Sequence, residues 1–141
     1  MKIYQLFFLF IIFSNDSFAQ RTYYGYQERE STYDKEKQKL KAVVLTLSQD
    51  DRTIQINLLG ELVSYRAALG DEIKRDYSNK IEKIGSIELS YDYEKRVTKF
   101  GNSEVKYSYG KMTEIGKYEV IYDYSGEFKG TKEKYNPYRN W

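Results

Sequence analysis

The sequence contains no cysteine and no histidine, and it has one proline and one tryptophan in 141 residues. Without cysteine the chain can form no disulfide framework, no thiolate zinc site and no thiol nucleophile. Without histidine it lacks the commonest general base and the commonest transition-metal ligand. The formal net charge is only +2, whereas nucleic-acid binding needs a concentrated basic face. These absences favour a non-enzymatic protein with no cofactor and no nucleic-acid partner.

Paired carboxylates are the one catalytic option that the composition leaves open. Asp50 and Asp51 are adjacent in a polar segment, where aspartate is favoured for turn geometry alone. Asp92 and Asp123 occupy equivalent positions of a repeat, so their recurrence indicates a structural cause. The spaced acidic loop of a strong calcium site is absent. We therefore predict no catalytic residues and no metal ligands, which makes a small carboxylate-dependent hydrolase the least favoured function.

The first nineteen residues have the three parts of a secretory signal peptide. Lys2 supplies the positive charge, Ile3 to Phe13 forms the apolar stretch, and Ser17-Phe18-Ala19 fits the cleavage pattern. This apolar stretch is shorter than the roughly 20 residues that a membrane-spanning helix needs. The sequence therefore predicts export to the periplasm, the cell surface or the medium, with no membrane span in the mature chain.

The rest of the chain divides into three regions. Residues 20–41 are a polar, tyrosine-rich arm, and a short helix that begins at Ser31 is one interpretation of its second half. Residues 42–130 carry the strand patterns, beginning with a hairpin around the polar segment Gln49 to Arg52. Residues 131–141 form a polar tail. After Ala19 the chain keeps fifteen tyrosines but two phenylalanines, so we expect tyrosine to supply much of the buried area.

An internal repeat is the strongest signal in the sequence. Three units run from Ile81 to Tyr93, from Val97 to Tyr109 and from Met112 to Tyr124, and a fourth begins at Phe128. Each unit has a short apolar segment, a glycine at which the chain can turn, and a longer segment with alternating apolar residues. This pattern predicts one β-hairpin per unit. The apolar pairs of the first strands are three residues apart, which indicates either a β-bulge or partial burial of both faces.

The repeat resembles tandem Ile-Gly…Tyr-Asp-Tyr units of small exported Gram-negative bacterial proteins that have no assigned function. The residues that carry this resemblance are Lys83-Ile84-Gly85, Tyr91-Asp92-Tyr93, Tyr122-Asp123-Tyr124 and Gly126. The resemblance covers about a third of the chain and implies export and β-structure rather than an activity. A weaker likeness to the YD repeats of large bacterial surface proteins rests on Tyr122 to Gly126, but those repeats are longer.

The sequence thus predicts an all-β fold, an antiparallel meander of eight or nine strands. Such a meander either curls into a partial barrel or packs against a second layer from residues 42–65. The candidate ligand-binding face is a set of tyrosines at two recurrent positions, for which packing in cross-strand ladders is the alternative. These residues are Tyr91, Tyr93, Tyr107, Tyr109, Tyr122 and Tyr124.

The functional hypothesis is an exported binding or structural module with a tyrosine-rich sheet. Its candidate partners are a glycan, peptidoglycan or a protein, and the sequence leaves its oligomeric state open. The alternative is an inhibitor or immunity-type partner of a periplasmic or secreted enzyme, for which small size and export are the supporting features.

Overall fold

The computed structural model describes residues 32–138. The predicted signal peptide, residues 20–31 of the predicted arm and residues 139–141 lie outside the described residues. The chain divides into two units between Glu36 and Lys37. The helix α1 (Thr32–Ala42) spans this division. It begins one residue after Ser31, where the sequence allowed a short helix to start. Asp34 in its first turn and Lys39 and Lys41 in its last turn complement the helix dipole.

All eleven described strands belong to the second unit and form two antiparallel sheets. The small sheet has the order β1-β2-β3, and the large sheet is an eight-stranded meander from β4 to β11 in sequence order. The strand bounds are β1 (Val44–Gln49), β2 (Arg52–Asn57), β3 (Leu62–Arg66), β4 (Ile73–Arg75), β5 (Ile81–Ile84), β6 (Ile87–Tyr91), β7 (Val97–Phe100), β8 (Ser103–Ser108), β9 (Lys111–Ile115), β10 (Tyr118–Tyr122) and β11 (Phe128–Glu133).

The predicted all-β class and the antiparallel hairpins are confirmed. Of the two architectures that the sequence allowed, residues 44–66 form the second layer, and the sheets are not closed into a barrel. The described strands exceed the expected eight or nine because two short or charged segments, Ile73–Arg75 and Phe128–Glu133, also pair. These segments lack the alternation of apolar residues on which a strand prediction depends.

A β-bulge recurs in the first strand of every repeat and explains its apolar spacing. Ser90 pairs with Lys99 while the next residue, Tyr91, pairs with Val97, so Thr98 is the extra residue on β7. The same shift lies at Glu82, Thr113 and Lys129. One extra residue changes the side-chain parity, so that both Val97 and Phe100 point into the core. Of the two explanations left open by the sequence, the bulge is the correct one.

The core lies between the two sheets and is mostly aliphatic. Ile54 and Ile56 of β2 are fully buried, as are Ile84, Phe100 and Met112 of the large sheet. Tyrosine contributes at the margin of this core: Tyr91, Tyr107 and Tyr122 are half-buried against it. The expectation that tyrosine supplies much of the buried area therefore holds only for these margin positions.

The loop between β2 and β3 joins the sheets through its backbone. The amides of Val97 and Met112 donate to the carbonyls of Gly60 and Leu58, at 2.9 and 2.8 Å. Both donors stand next to a bulge, where the regular ladder is interrupted. Within residues 32–138, no helix is both long enough and apolar enough to cross a membrane.

Candidate functional site

The structure separates the six predicted tyrosines into two groups. Tyr91, Tyr107 and Tyr122, which we call the inner tyrosines, end β6 and β10 or stand near the end of β8, and they are half-buried. Tyr93, Tyr109 and Tyr124 lie in loops beyond the ends of the strands, and their side chains are almost fully exposed. In the sequence the members of the two groups are two residues apart, which places them on one face of a strand. Each strand ends before its second tyrosine, so this alternation does not continue to the second group.

The inner tyrosines do not form the cross-strand ladder that was considered for them. They stand on β6, β8 and β10, and β7 or β9 lies between each pair. Each repeat contributes two strands, so equivalent positions recur on alternate strands and not on adjacent ones.

Every inner tyrosine makes the same hydrogen bond within its own repeat. Its hydroxyl donates to the carbonyl of the residue ten positions earlier, at the start of the first strand. The Tyr91 hydroxyl lies 2.7 Å from the Ile81 oxygen and the Tyr122 hydroxyl 2.6 Å from the Met112 oxygen, while Tyr107 donates to Val97. Each acceptor immediately precedes a bulged residue, where the ladder is interrupted, so the hydroxyl bonds a polar group at the edge of the core.

A basic side chain covers the ring of each inner tyrosine. The charged groups of Lys80, Arg96 and Lys111 lie 5.0, 4.4 and 4.3 Å from the ring centroids of Tyr91, Tyr107 and Tyr122. These distances are those of cation–π contacts. Sequence reasoning missed this position, although a basic residue directly precedes each of the three repeats and is visible once the units are aligned.

Burial raises the pKa of the inner tyrosine hydroxyls. It raises the pKa of Tyr122 to about 12, and it also raises the pKa values of Tyr91 and Tyr107. An ionised hydroxyl could not donate to the carbonyl, so these groups keep their proton at physiological pH. The inner tyrosines therefore act as neutral structural groups of the repeat.

Three of the loops on one side of the large sheet share one geometry, in which an aspartate accepts two backbone hydrogen bonds. Asp92 Oδ1 accepts from the amides of Glu94 and Arg96, both at 3.0 Å. Asp76 and Asp123 likewise accept hydrogen bonds from the backbone amides two and four residues later in the chain. Asn57 takes this role in the loop between β2 and β3. This turn chemistry is the structural cause expected for the recurrence of Asp92 and Asp123.

These hydrogen bonds also fix the charge state of the aspartates. Burial alone would raise the pKa of Asp92, but the hydrogen bonds from the Arg96 amide and guanidinium outweigh it and lower that pKa. The Ser125 hydroxyl and the Glu127 amide lower the pKa of Asp123 to about 2. Both carboxylates are ionised and already engaged by their own loops at neutral pH.

The tyrosine that follows each of these aspartates stands at the loop tip. Tyr77, next to Asp76, is fully exposed. The sequence analysis missed it, although it follows an aspartate just as Tyr93 and Tyr124 do. Tyr109 occupies the fourth tip, in the two-residue turn between β8 and β9. We call Tyr77, Tyr93, Tyr109 and Tyr124 the tip tyrosines.

The tip tyrosines form a row along one end of the large sheet. In a meander, alternate connections lie on the same side, and the four tip loops are the alternate connections β4–β5, β6–β7, β8–β9 and β10–β11. Neighbouring tips are two strands apart, which corresponds to about 10 Å. The row thus places one exposed tyrosine on each of four alternate connections at one end of the sheet.

The two carboxylate pairs that the sequence analysis considered lie in turns and loops. Asp50 and Asp51 occupy the turn between β1 and β2, both with positive φ. Asp92 and Asp123 lie in loops that are four strands apart, or about 19 Å, which exceeds the separation used for glycoside hydrolysis. Among residues 32–138, no three acidic side chains are grouped so that they could hold a metal ion.

Comparisons with protein-family models, with curated proteins and with solved structures found no match to this chain.

Proposed function

We propose that this chain is an exported, non-enzymatic binding module that contacts an extended glycan through the tip tyrosines. The observation that carries the proposal is the contrast between the two tyrosine groups. The inner tyrosines recur because each bonds a backbone carbonyl in its repeat. The tip tyrosines recur although their side chains are almost fully exposed, so burial in the core does not account for their recurrence.

Tyr109 supports a contact role independently of exposure. It has a φ of 51° in a two-residue hairpin turn, where the following residue is Gly110 with a φ of 76°. Such turns favour asparagine, aspartate or glycine at the first position. A tyrosine there costs conformational energy, and residues held in such conformations cluster at functional sites. The aromatic ring is retained at the tip against the preference of the turn.

The regular spacing favours a polymer with flat, repeated faces. A β-1,4-linked glycan repeats its orientation every second ring, a length comparable with the tip spacing of about 10 Å. Near the tips, the carboxylates of Asp92 and Asp123 pair with Arg96 and Lys129. The cations of Lys80 and Lys111 cover inner tyrosine rings. The loops of the row therefore carry both acidic and basic side chains, with Lys95 exposed in the loop of Tyr93.

Binding to insoluble peptidoglycan and to chitin tests the proposal. We expect the chain to co-sediment with at least one of them. Each Tyr→Ala substitution at a tip should weaken binding about fivefold, the effect of removing one aromatic contact of about 1 kcal/mol. The quadruple tip variant should remain in the supernatant. Tyr33→Ala, which removes an exposed tyrosine from α1, is the matched control and should bind normally.

Two results would contradict the proposal. One is a wild-type chain that co-sediments with neither polysaccharide. The other is a quadruple variant that binds as well as the Tyr33→Ala control. The tip tyrosines make few contacts within the fold, so the variants should keep the unfolding free energy of the wild type, and a loss of binding will not reflect a loss of structure.

A further inference from the structure

A groove of about 380 Å³ is lined by β3 and by the first two tip loops, which carry Tyr77 and Tyr93. Residues 61–65 line it from the small sheet. The loop of Tyr77, the loop of Tyr93 and the end of β4 each contribute one cation. These cations are Lys80, Lys95 and Arg75. The groove therefore adjoins the tip row through two of its loops.

Positive charge predominates in this groove. Its lining contains three cations but a single acid, Glu61. The Glu61 carboxylate is already held by Asn57 Nδ2 at 2.8 Å and by Lys41 Nζ at 3.4 Å, and these two contacts lower its pKa. By contrast, none of the three cations forms an ion pair with a carboxylate in the described residues 32–138. The groove thus has more positive charge than its own acid can balance.

The contacts that two of these cations make leave their charge uncompensated. Arg75 Nη1 donates to the backbone carbonyl of Asn79 at 3.0 Å, and the Lys80 ammonium lies 5.0 Å from the ring centroid of Tyr91. Asp76 of the same loop accepts the backbone amide of Lys80, at 2.9 Å. A carbonyl and an aromatic ring position a cation without neutralising it, so both groups can still bind an anion.

Lys95 provides an observation that is independent of charge. The fourth residue of each aspartate or asparagine loop donates its amide to the carbonyl of the first residue and has a positive φ. In three of these loops the residue is Gly60, Asn79 or Gly126, whereas Lys95 holds the conformation at a φ of 66°. Glycine and asparagine adopt this conformation readily, but lysine does so at an energetic cost. Residues held in such conformations cluster at functional sites.

We propose that this groove binds an acidic group, a carboxylate or a phosphate, of the glycan that the tip tyrosines contact. The inference rests on the proposed function, because a polymer lying on Tyr77 and Tyr93 passes over the loops that line the groove. The guanidinium of Arg75 can donate to two oxygens of one acidic group, and the ammonium groups of Lys80 and Lys95 add positive charge. The ligand is then an acidic glycan and not a neutral one.

Three forms of peptidoglycan test for the acidic group and identify it. One is intact, one is stripped of phosphate polymers with hydrofluoric acid, and one has its carboxylates amidated with a carbodiimide and ammonia. Fully acetylated chitin is the neutral glycan. We expect the full chain to bind intact peptidoglycan about tenfold more tightly than chitin, with a smaller preference at high salt. Loss of the preference on amidation identifies a carboxylate, and loss on acid stripping identifies a phosphate.

Variants of the groove separate a ligand contact from a structural role. Lys95→Asn removes the charge and introduces the residue that the first tip loop has at this position. It should bind peptidoglycan about threefold more weakly, bind chitin normally, and resist urea at least as well as the wild type. Lys99→Gln removes an exposed lysine of β7 that does not line the groove, and this control should bind as the wild type does.

The triple variant Arg75→Gln/Lys80→Gln/Lys95→Asn removes all three cations of the groove. It should bind peptidoglycan no better than chitin. Chitin binding also shows that the variant is folded, because that contact depends on the tip tyrosines and not on the groove.

Two results would overturn the inference and leave the contact of the tip tyrosines standing. One is equal binding of chitin and of all three forms of peptidoglycan by a chain whose quadruple tip variant binds none of them. The other is equal peptidoglycan binding by Lys95→Asn and Lys99→Gln. A quadruple tip variant that keeps the full preference for intact peptidoglycan would instead support the acid site and contradict the role of the tips. A wild-type chain that binds no form of either polysaccharide would contradict both.

Discussion

At the residue scale, the tyrosines divide by what their hydroxyl and ring contact. The inner tyrosines donate to backbone carbonyls and lie under basic side chains, whereas the tip tyrosines extend beyond the strands. The sequence could predict that both positions recur, because recurrence is visible in the alignment of the units. It could not predict their exposure, since that depends on where each strand ends and a loop begins.

We predict that Tyr122→Phe lowers the unfolding free energy by about 1 kcal/mol at neutral pH, because the hydroxyl loses its bond to the Met112 carbonyl. Tyr124→Phe, two residues further on at an exposed tip, should leave stability unchanged. Urea denaturation of both variants measures the difference. Equal stabilities of the two variants would contradict a structural role for the inner hydroxyl.

The same pair of variants gives a pH dependence with a defined sign. In the folded chain burial raises the pKa of Tyr122 to about 12, whereas an unfolded tyrosine titrates near about 10. Between these values the folded state holds more protons, so stability present below pH 10 is lost as pH rises towards 12. The slope should be shallower in Tyr122→Phe than in Tyr124→Phe.

At the scale of the element, one loop design recurs in four places. An aspartate or asparagine begins the loop, accepts two amides, and is followed six residues later by a bulged residue at Val63, Glu82, Thr98 or Lys129. The sequence analysis identified the turns and the glycines of the hairpins. It left the bulge undecided, because alternation and a bulge predict different faces for the same apolar pair.

Asp92 offers a test of this loop. Asp92→Ala removes the acceptor for the amides of Glu94 and Arg96, and we expect a loss of about 1 to 2 kcal/mol of unfolding free energy. Asp92→Asn keeps a side-chain oxygen, as Asn57 does in its own loop, and should lose less. Thermal or urea unfolding ranks the variants. If Asp92→Asn were as damaging as Asp92→Ala, the pair with Arg96 would matter more than the loop bonds.

At the scale of the whole second unit, the fold depends on how closely the loop between β2 and β3 approaches the large sheet. Gly60 has a φ of 85°, and an added Cβ would lie 2.7 Å from both Arg96 Cβ and Tyr107 Cε1. The sequence could not indicate that this glycine contacts the second repeat, because that contact joins distant parts of the chain.

We therefore predict that Gly60→Ala destabilises the fold by more than about 2 kcal/mol, through positive φ and collision with the second repeat. Gly110→Ala is the control: its φ is 76°, but nothing lies within 4 Å of an added Cβ. It should cost only about 1 kcal/mol, the penalty of the left-handed conformation. Similar losses in both variants would show that the two sheets do not approach at Gly60 as described.

The two-sheet arrangement also limits what the repeat alone can predict. The repeat indicates a meander of hairpins, and this holds for β4 to β11. Whether such a meander closes on itself or is covered by another layer depends on contacts between residues 44–66 and the repeats. Beside those contacts, Arg52 of the small sheet pairs with Asp71 of the segment before β4, at 2.6 Å between Nη2 and Oδ1. Neither residue belongs to a recognisable motif.

The division of the tyrosines into inner and tip groups is the central claim, and tyrosine nitration of the folded chain measures it most directly. After limited treatment with tetranitromethane, peptide mass spectrometry gives the extent of modification at each tyrosine. We predict rapid nitration at Tyr77, Tyr93, Tyr109 and Tyr124, and protection at Tyr91, Tyr107 and Tyr122 until the chain is unfolded in urea. Nitration of the inner tyrosines at the rate of the tip tyrosines in the folded chain would contradict the claim.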